Sequence, residues 1–138
     1  MTQLTAASRP RAAVGLTLRV DLGAHGALGP GKIRLLELID EHGSITLAGR
    51  AMGMSYRRAW LLVDSLNRMF RAPVVATQAG GAGGGGTRLT ELGRELVRRY
   101  RLMENQAAAA VQGSLRALEA ELSAEAPAGA RAYPDEVG

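Results

Sequence analysis

The sequence predicts a mainly α chain with one small β-hairpin, arranged as a winged helix-turn-helix with a long C-terminal dimerisation helix. Three observations lead there. Two short stretches of helical periodicity flank Gly53, each opened by a serine (Ser44 and Ser55). A glycine run separates two short stretches of strand character. After Thr90, apolar residues recur at three- and four-residue steps for about thirty positions.

The elements follow in order. Residues 13–22 alternate Val14, Leu16, Leu18, Val20 and Leu22 against Ala13, Gly15, Thr17, Arg19 and Asp21, the period of a half-buried strand. A turn containing Gly29-Pro30-Gly31 leads to an amphipathic helix over 32–42. This helix gathers Ile33, Leu35, Leu36, Leu38 and Ile39 on one face, with Arg34, Glu37, Asp40 and Glu41 opposite; Gly43 ends it. Ser44 caps a second helix over 45–52, whose Ile45, Ala48 and Met52 point inward. Gly53 breaks the chain, and Ser55 caps a third helix to about Phe70. Residues 73–77 form a strand, 80–86 a flexible turn and 87–90 a return strand. Thr90 then caps one long helix over about 91–122. Residues 13–122 make one domain, and 1–12 and 123–138, biased to small and polar residues, are expected to be flexible ends.

Composition narrows the function. A hydrophobic share of 46% suits a globular domain. The absence of cysteine excludes disulfides, thiolate metal sites and cysteine nucleophiles, and the two histidines have no ligand spacing. Neither metal nor cofactor is expected, and nothing suggests an enzyme. No apolar run reaches the length of a membrane span and no secretory signal opens the chain, so a cytoplasmic protein without a membrane partner is expected. The formal charge is +4, and between residues 50 and 101 arginines outnumber acids ten to three. Such clustering is the electrostatic footprint of a face for nucleic acid, here double-stranded DNA.

The third helix carries that chemistry. At 100° per residue Ala59, Leu62, Val63, Leu66, Met69 and Phe70 share one side, and Arg57, Leu61, Asp64 and Arg68 lie opposite. Tyr56, Trp60 and Asn67 follow one shoulder and Arg58 the other. Recognition helices read bases with their first turns. Arg57 and Arg58 suit guanine, and Leu61 suits a thymine methyl. Ser44, Ser55 and the amides beside them suit phosphate. Tyr56 and Trp60, spaced i, i+4, form a stacked pair that either packs on the preceding helix or touches DNA. Asp64 would repel phosphate, so the C-terminal half of the helix is expected to leave the groove. In the hairpin, Gly84 and Gly85 allow close approach to a sugar-phosphate strand, with Thr87 and Arg88 following. A nucleotide-binding loop is excluded there, because Thr87-Arg88 stands where the phosphate loop needs Lys-Ser/Thr. Leu92, Leu96, Tyr100, Met103, Ala107, Val111, Leu115 and Leu118 form the seam of a homodimer.

Gly43-Ser44-Ile45, Ala51-Met52-Gly53-Met54-Ser55-Tyr56-Arg57-Arg58-Ala59-Trp60, Asn67, the glycine run 80–86 and Leu89-Thr90-Glu91-Leu92-Gly93 together resemble the N-terminal domain of the molybdate-responsive (ModE-like) regulators. The resemblance covers about residues 16–105. It implies a dimeric winged helix of ModE/LysR-like kind that represses or activates genes of molybdenum uptake or molybdoenzymes. That family senses molybdate in C-terminal domains whose oxyanion motif has no match after Asn105, so molybdate sensing is not expected within this chain. Two alternatives stay open: a protein-interaction winged helix, and a DNA-binding subunit whose effector is sensed by another protein.

Overall fold

A computed structural model describes residues 14–78 and 86–125. The chain runs β1 (Val20–Asp21), a 3-10 turn (Gly23–His25), β2 (Ala27–Leu28), α1 (Pro30–His42), α2 (Ile45–Ala51), α3 (Tyr56–Met69), β3 (Val75–Gln78), β4 (Gly86–Leu89), α4 (Glu91–Ala110) and α5 (Gln112–Ala120). The described residues are mainly helical, with two antiparallel strand pairs, β1 with β2 and β3 with β4.

α1 is the central element. Its Ile33, Leu35, Leu36, Leu38 and Ile39 are all buried, and they meet Leu62, Val63 and Leu66 of α3, Val74, Val75 and Leu89 of the β3–β4 ribbon, and Tyr100 of α4. The helix begins at Pro30, two residues before the expected start, because proline at the first position already has the helical φ and gives up only an amide without an intrahelical partner. Gly43 ends it with φ 69°, its amide donating to the Ile39 carbonyl at 2.7 Å. Lys32, also buried, donates from Nζ to the Ala27 carbonyl at 2.8 Å, which ties α1 to the β1–β2 pair. Burial, and after it the charge of Arg19, push the Lys32 pKa below its ordinary value.

Several expectations are corrected. The strand expected over 13–22 is hydrogen-bonded as a strand only at Val20–Asp21, which pairs with Leu28 and Ala27; Ala13 lies outside the described residues. Its period-two pattern reports burial against the helices rather than a long ladder: Leu18, Val20 and Leu22 pack on the core, and the Tyr100 hydroxyl donates to the Leu18 carbonyl at 2.6 Å. The expected long helix over 91–122 is two helices. Val111, with φ −107° and ψ 12°, interrupts it between α4 and α5, although Val111→Ala107 and Leu115→Val111 amide–carbonyl bonds span the break. β-branched Val111 and Gly113 are weak helix formers, and a Cβ added at Gly113 would meet nothing within 4 Å, so no packing compensates.

α4 is fastened across the domain by Arg101. Its guanidinium donates to Glu37 of α1 at 2.9 and 3.0 Å and to Glu104 at 2.8 Å. The bonds to Glu37 lead in raising its pKa, against the opposing effect of burial, so the group stays charged at any accessible pH. No helix among the described residues is long and apolar enough to cross a membrane.

Candidate nucleic-acid interface

The α2–α3 corner is set by small residues and two serine caps. Ser44 Oγ accepts from the Leu47 amide and Ser55 Oγ from the Arg58 amide, both at 3.1 Å. Both hydroxyls keep their proton for an outside acceptor such as a phosphate oxygen. A Cβ built on Gly49 would stand 2.9 Å from the Ala59 Cβ, so the crossing of the two helices leaves no room for a side chain at Gly49. Gly53, with φ +73°, makes the intervening turn in a conformation that disfavours other residues.

This corner buries one side of α3 and leaves the other to solvent. Ala59, Leu62, Val63, Leu66 and Met69 are buried as the periodicity requires. Arg57, Arg58, Tyr56 (56% exposed), Trp60 (46%) and Leu61 (47%) face outward. The two aromatic residues therefore lie outside the core, and no ring contact joins them, so the expected stacked pair is corrected. Asp64 on the same face is held by Arg68 at 3.0 Å, which offsets its charge.

The arginines divide by partner. Arg34, Arg98, Arg99 and Arg101 are paired with Glu37, Glu95 or Glu104, all on α1 and α4. Glu95, bridged first by Arg98 and also by Arg99, is held below the usual carboxylate range. By contrast Arg50 at the end of α2, Arg57 and Arg58 on α3, Arg71 just beyond it and Arg88 on β4 have no carboxylate within 4.0 Å among the described residues. Arg50 and Arg71 counted toward the basic cluster in the sequence without being assigned to the site; their unpaired state is visible only once the ion pairs are known.

The β3–β4 ribbon is joined to this corner. Val75, Ala76, Thr77 and Gln78 pair with Leu89, Arg88, Thr87 and Gly86. The Thr87 amide donates to the Gly43 carbonyl at 3.0 Å, so the ribbon leans on the α1–α2 turn. Thr87 itself is buried, 8% exposed, which corrects its assignment as a DNA contact; the neighbouring Arg88 points outward, as alternation along a strand demands. Gly84 and Gly85, with the rest of the glycine run through residue 85, lie outside the described residues. Asn67, placed by periodicity on the α3 shoulder and given no role, holds the ribbon's base. Its Oδ1 accepts from the Val74 and Val75 amides at 2.8 and 3.0 Å, and its Nδ2 donates to the Val75 carbonyl at 3.2 Å. Thr90 caps α4 through the Gly93 amide (3.0 Å) and donates to the Pro73 carbonyl (2.8 Å).

The residues of the expected dimer seam separate into two groups. Leu92 and Leu96 are partly buried against the chain's own core, and Tyr100 is fully buried in it, which removes Tyr100 from any surface. Met103 and Leu118 are exposed, with Ala107, Val111 and Leu115 partly so, and exposed Leu102 and Leu122 join them. Among the described residues, no group of three or more His, Asp or Glu side chains is placed to hold a metal ion.

No protein-family model matches the chain. Curated proteins do. The molybdenum transport protein ModE of Azotobacter vinelandii is 43% identical over 89 residues, 64% of this chain and 32% of the relative. The molybdenum-pterin-binding protein MopA of Rhodobacter capsulatus is 41% identical over 97 residues, 70% of this chain and 35% of the relative. The DNA-binding transcriptional dual regulator ModE of Escherichia coli K12 is 36% identical over 74 residues, 54% of this chain and 28% of the relative. The chain thus spans about a third of the length of the curated relatives it matches.

Proposed function

We propose that this chain is a cytoplasmic, sequence-specific DNA-binding regulator of transcription, a winged helix-turn-helix of the ModE-like kind, and not an enzyme. The observation that carries the reading is the division of the arginines. On α1 and α4, Arg34, Arg98, Arg99 and Arg101 share Glu37, Glu95 and Glu104, and Arg94 is spent on the Leu89 carbonyl. By contrast Arg50, Arg57, Arg58, Arg71 and Arg88, on α2, α3, the segment after it and β4, have no carboxylate partner among the described residues. Unpaired cations around an exposed helix N-terminus suit phosphates and guanine edges. In this reading α3 is the recognition helix and the β3–β4 ribbon is the wing, with Arg88 on the backbone beside it. The similarity to one protein named as a molybdenum transport protein ModE and another named as a DNA-binding transcriptional dual regulator ModE supports control of molybdenum uptake or molybdoenzyme genes. Sensing of the effector is assigned to no residue of this chain.

The exposed apolar side chains from Leu102 through Leu122 support a homodimer through the second half of α4 and α5, which would set two recognition helices on one face of a pseudo-palindromic site. A mobility-shift titration against fragments upstream of molybdenum-related genes tests the function. Saturable binding that survives competitor DNA is expected, with loss in Arg57→Ala and Arg58→Ala. Binding unaltered by both substitutions would remove α3 as the reading element. A second reading, docking on an acidic protein, draws on the apolar chains exposed between those arginines. It predicts retention of a protein and of no duplex in about 0.15 M salt.

A further inference from the structure

The outward face of α3 is unusual for a surface that is merely solvated. Its first two turns expose three large apolar side chains, Tyr56, Trp60 and Leu61, each about half accessible, in the same stretch as Arg57 and Arg58. None belongs to the core cluster, and the two rings do not stack on each other. At 100° per residue Trp60 and Leu61 lie about 60° and 40° to either side of Arg57, at the most outward part of the helix. A purely phosphate-binding helix has no use for apolar groups there, whereas the major groove offers one apolar feature, the C5 methyl of thymine.

Resting on the DNA-binding reading above, we propose that Trp60 and Leu61, with Tyr56 at the rim, read thymine methyl groups, so that the preferred half-site sets thymines beside the base pair contacted by Arg57. The occupant is duplex DNA rather than a protein because the apolar chains flank Arg57 and Arg58, which have no carboxylate partner among the described residues, a charge pattern complementary to a polyphosphate groove. Methyl reading also gives the two residues a role that arginine lacks, since guanine contact alone does not distinguish thymine from cytosine at the neighbouring pair.

The experiment uses a duplex selected by the full chain from a random library. Each thymine of the half-site is replaced in turn by deoxyuridine, which removes the methyl and leaves pairing and hydrogen-bonding edges intact. Burial of one methyl corresponds to about fourfold in affinity, so a loss of about that size is expected at one or two positions. In Trp60→Ala or Leu61→Ala the same replacement should cost nothing further. Both side chains lie outside the core, so thermal melting verifies that these variants stay folded. Equal binding of the thymine and deoxyuridine duplexes overturns the inference and leaves the DNA-binding reading intact. So does a deoxyuridine penalty that persists unchanged in both variants. Failure to retain any duplex overturns the reading and the inference together.

Discussion

Asn67 and Val75 grip each other through two hydrogen bonds: the Val75 amide donates to Asn67 Oδ1 at 3.0 Å and Asn67 Nδ2 donates to the Val75 carbonyl at 3.2 Å. The same Oδ1 takes the Val74 amide, so one side chain on α3 satisfies three backbone groups where β3 begins. Asn67→Ala is expected to cost about 2–3 kcal/mol, because it strands two donors and an acceptor at a partly buried position. Urea unfolding checks this; a change within about 0.5 kcal/mol, the ordinary range for surface substitutions, would refute the clamp.

Gly93 permits α4 to start against β3. A Cβ there would stand 2.1 Å from the Val74 carbonyl oxygen, a backbone atom that other bonds hold in place. Gly93→Ala should therefore destabilise by about 3 kcal/mol, near the upper end for overpacking. Gly113→Ala meets open space inside α5 and should stabilise by about 1 kcal/mol. Chemical denaturation of the two variants must show opposite signs.

Lys32 makes stability depend on pH at the alkaline end. Its folded pKa lies below the ordinary 10.5, so between those two values the unfolded chain binds more protons than the folded one. Stability therefore rises with pH through that window, as the buried charge is shed, and Lys32→Met lacks the rise. Unfolding of both proteins at a series of pH values from neutral to about 10.5 should show the wild type gaining on the variant; parallel curves would contradict it.

The division of arginines predicts two different phenotypes. Arg88→Ala should weaken DNA binding evenly across sequences and lower the salt slope by about 1. Arg98→Ala and Arg99→Ala each remove one of two cations that share Glu95 on α4, outside the unpaired set, and should leave affinity nearly unchanged. Titrations at several salt concentrations separate the two.

Much of this was legible in the sequence. Apolar periodicity located α1, α2 and α3 to within two residues, and the buried face of α3 contains five of its six expected members, with Phe70 partly buried beyond the helix end. The three caps at Ser44, Ser55 and Thr90 form as expected, because capping depends on neighbours three residues away. What was not legible depends on distant partners. A strand of period two with no long partner forms only a two-residue ladder, and a helix seam reads alike whether it buries into its own domain, as at Tyr100, or faces outward, as at Leu118. Asn67 stood out only as part of the resemblance, and its clamp on the ribbon was not legible, since its partners are backbone atoms seven and eight residues ahead.

The bonds holding the α2–α3 corner and the ribbon run through Ser44, Gly49, Ser55, Asn67 and Thr87. Among the described residues, the side chains of Tyr56, Arg57, Arg58, Trp60 and Leu61 make no hydrogen bond or ion pair. On the proposed reading, the bonds of the scaffold are therefore separate from the outward side chains of α3, with only the capping Ser44 and Ser55 serving both. A lineage can retarget such a protein by exchanging a handful of outward side chains without first acquiring compensating stability, and an engineer grafting a new specificity onto α3 inherits the same freedom.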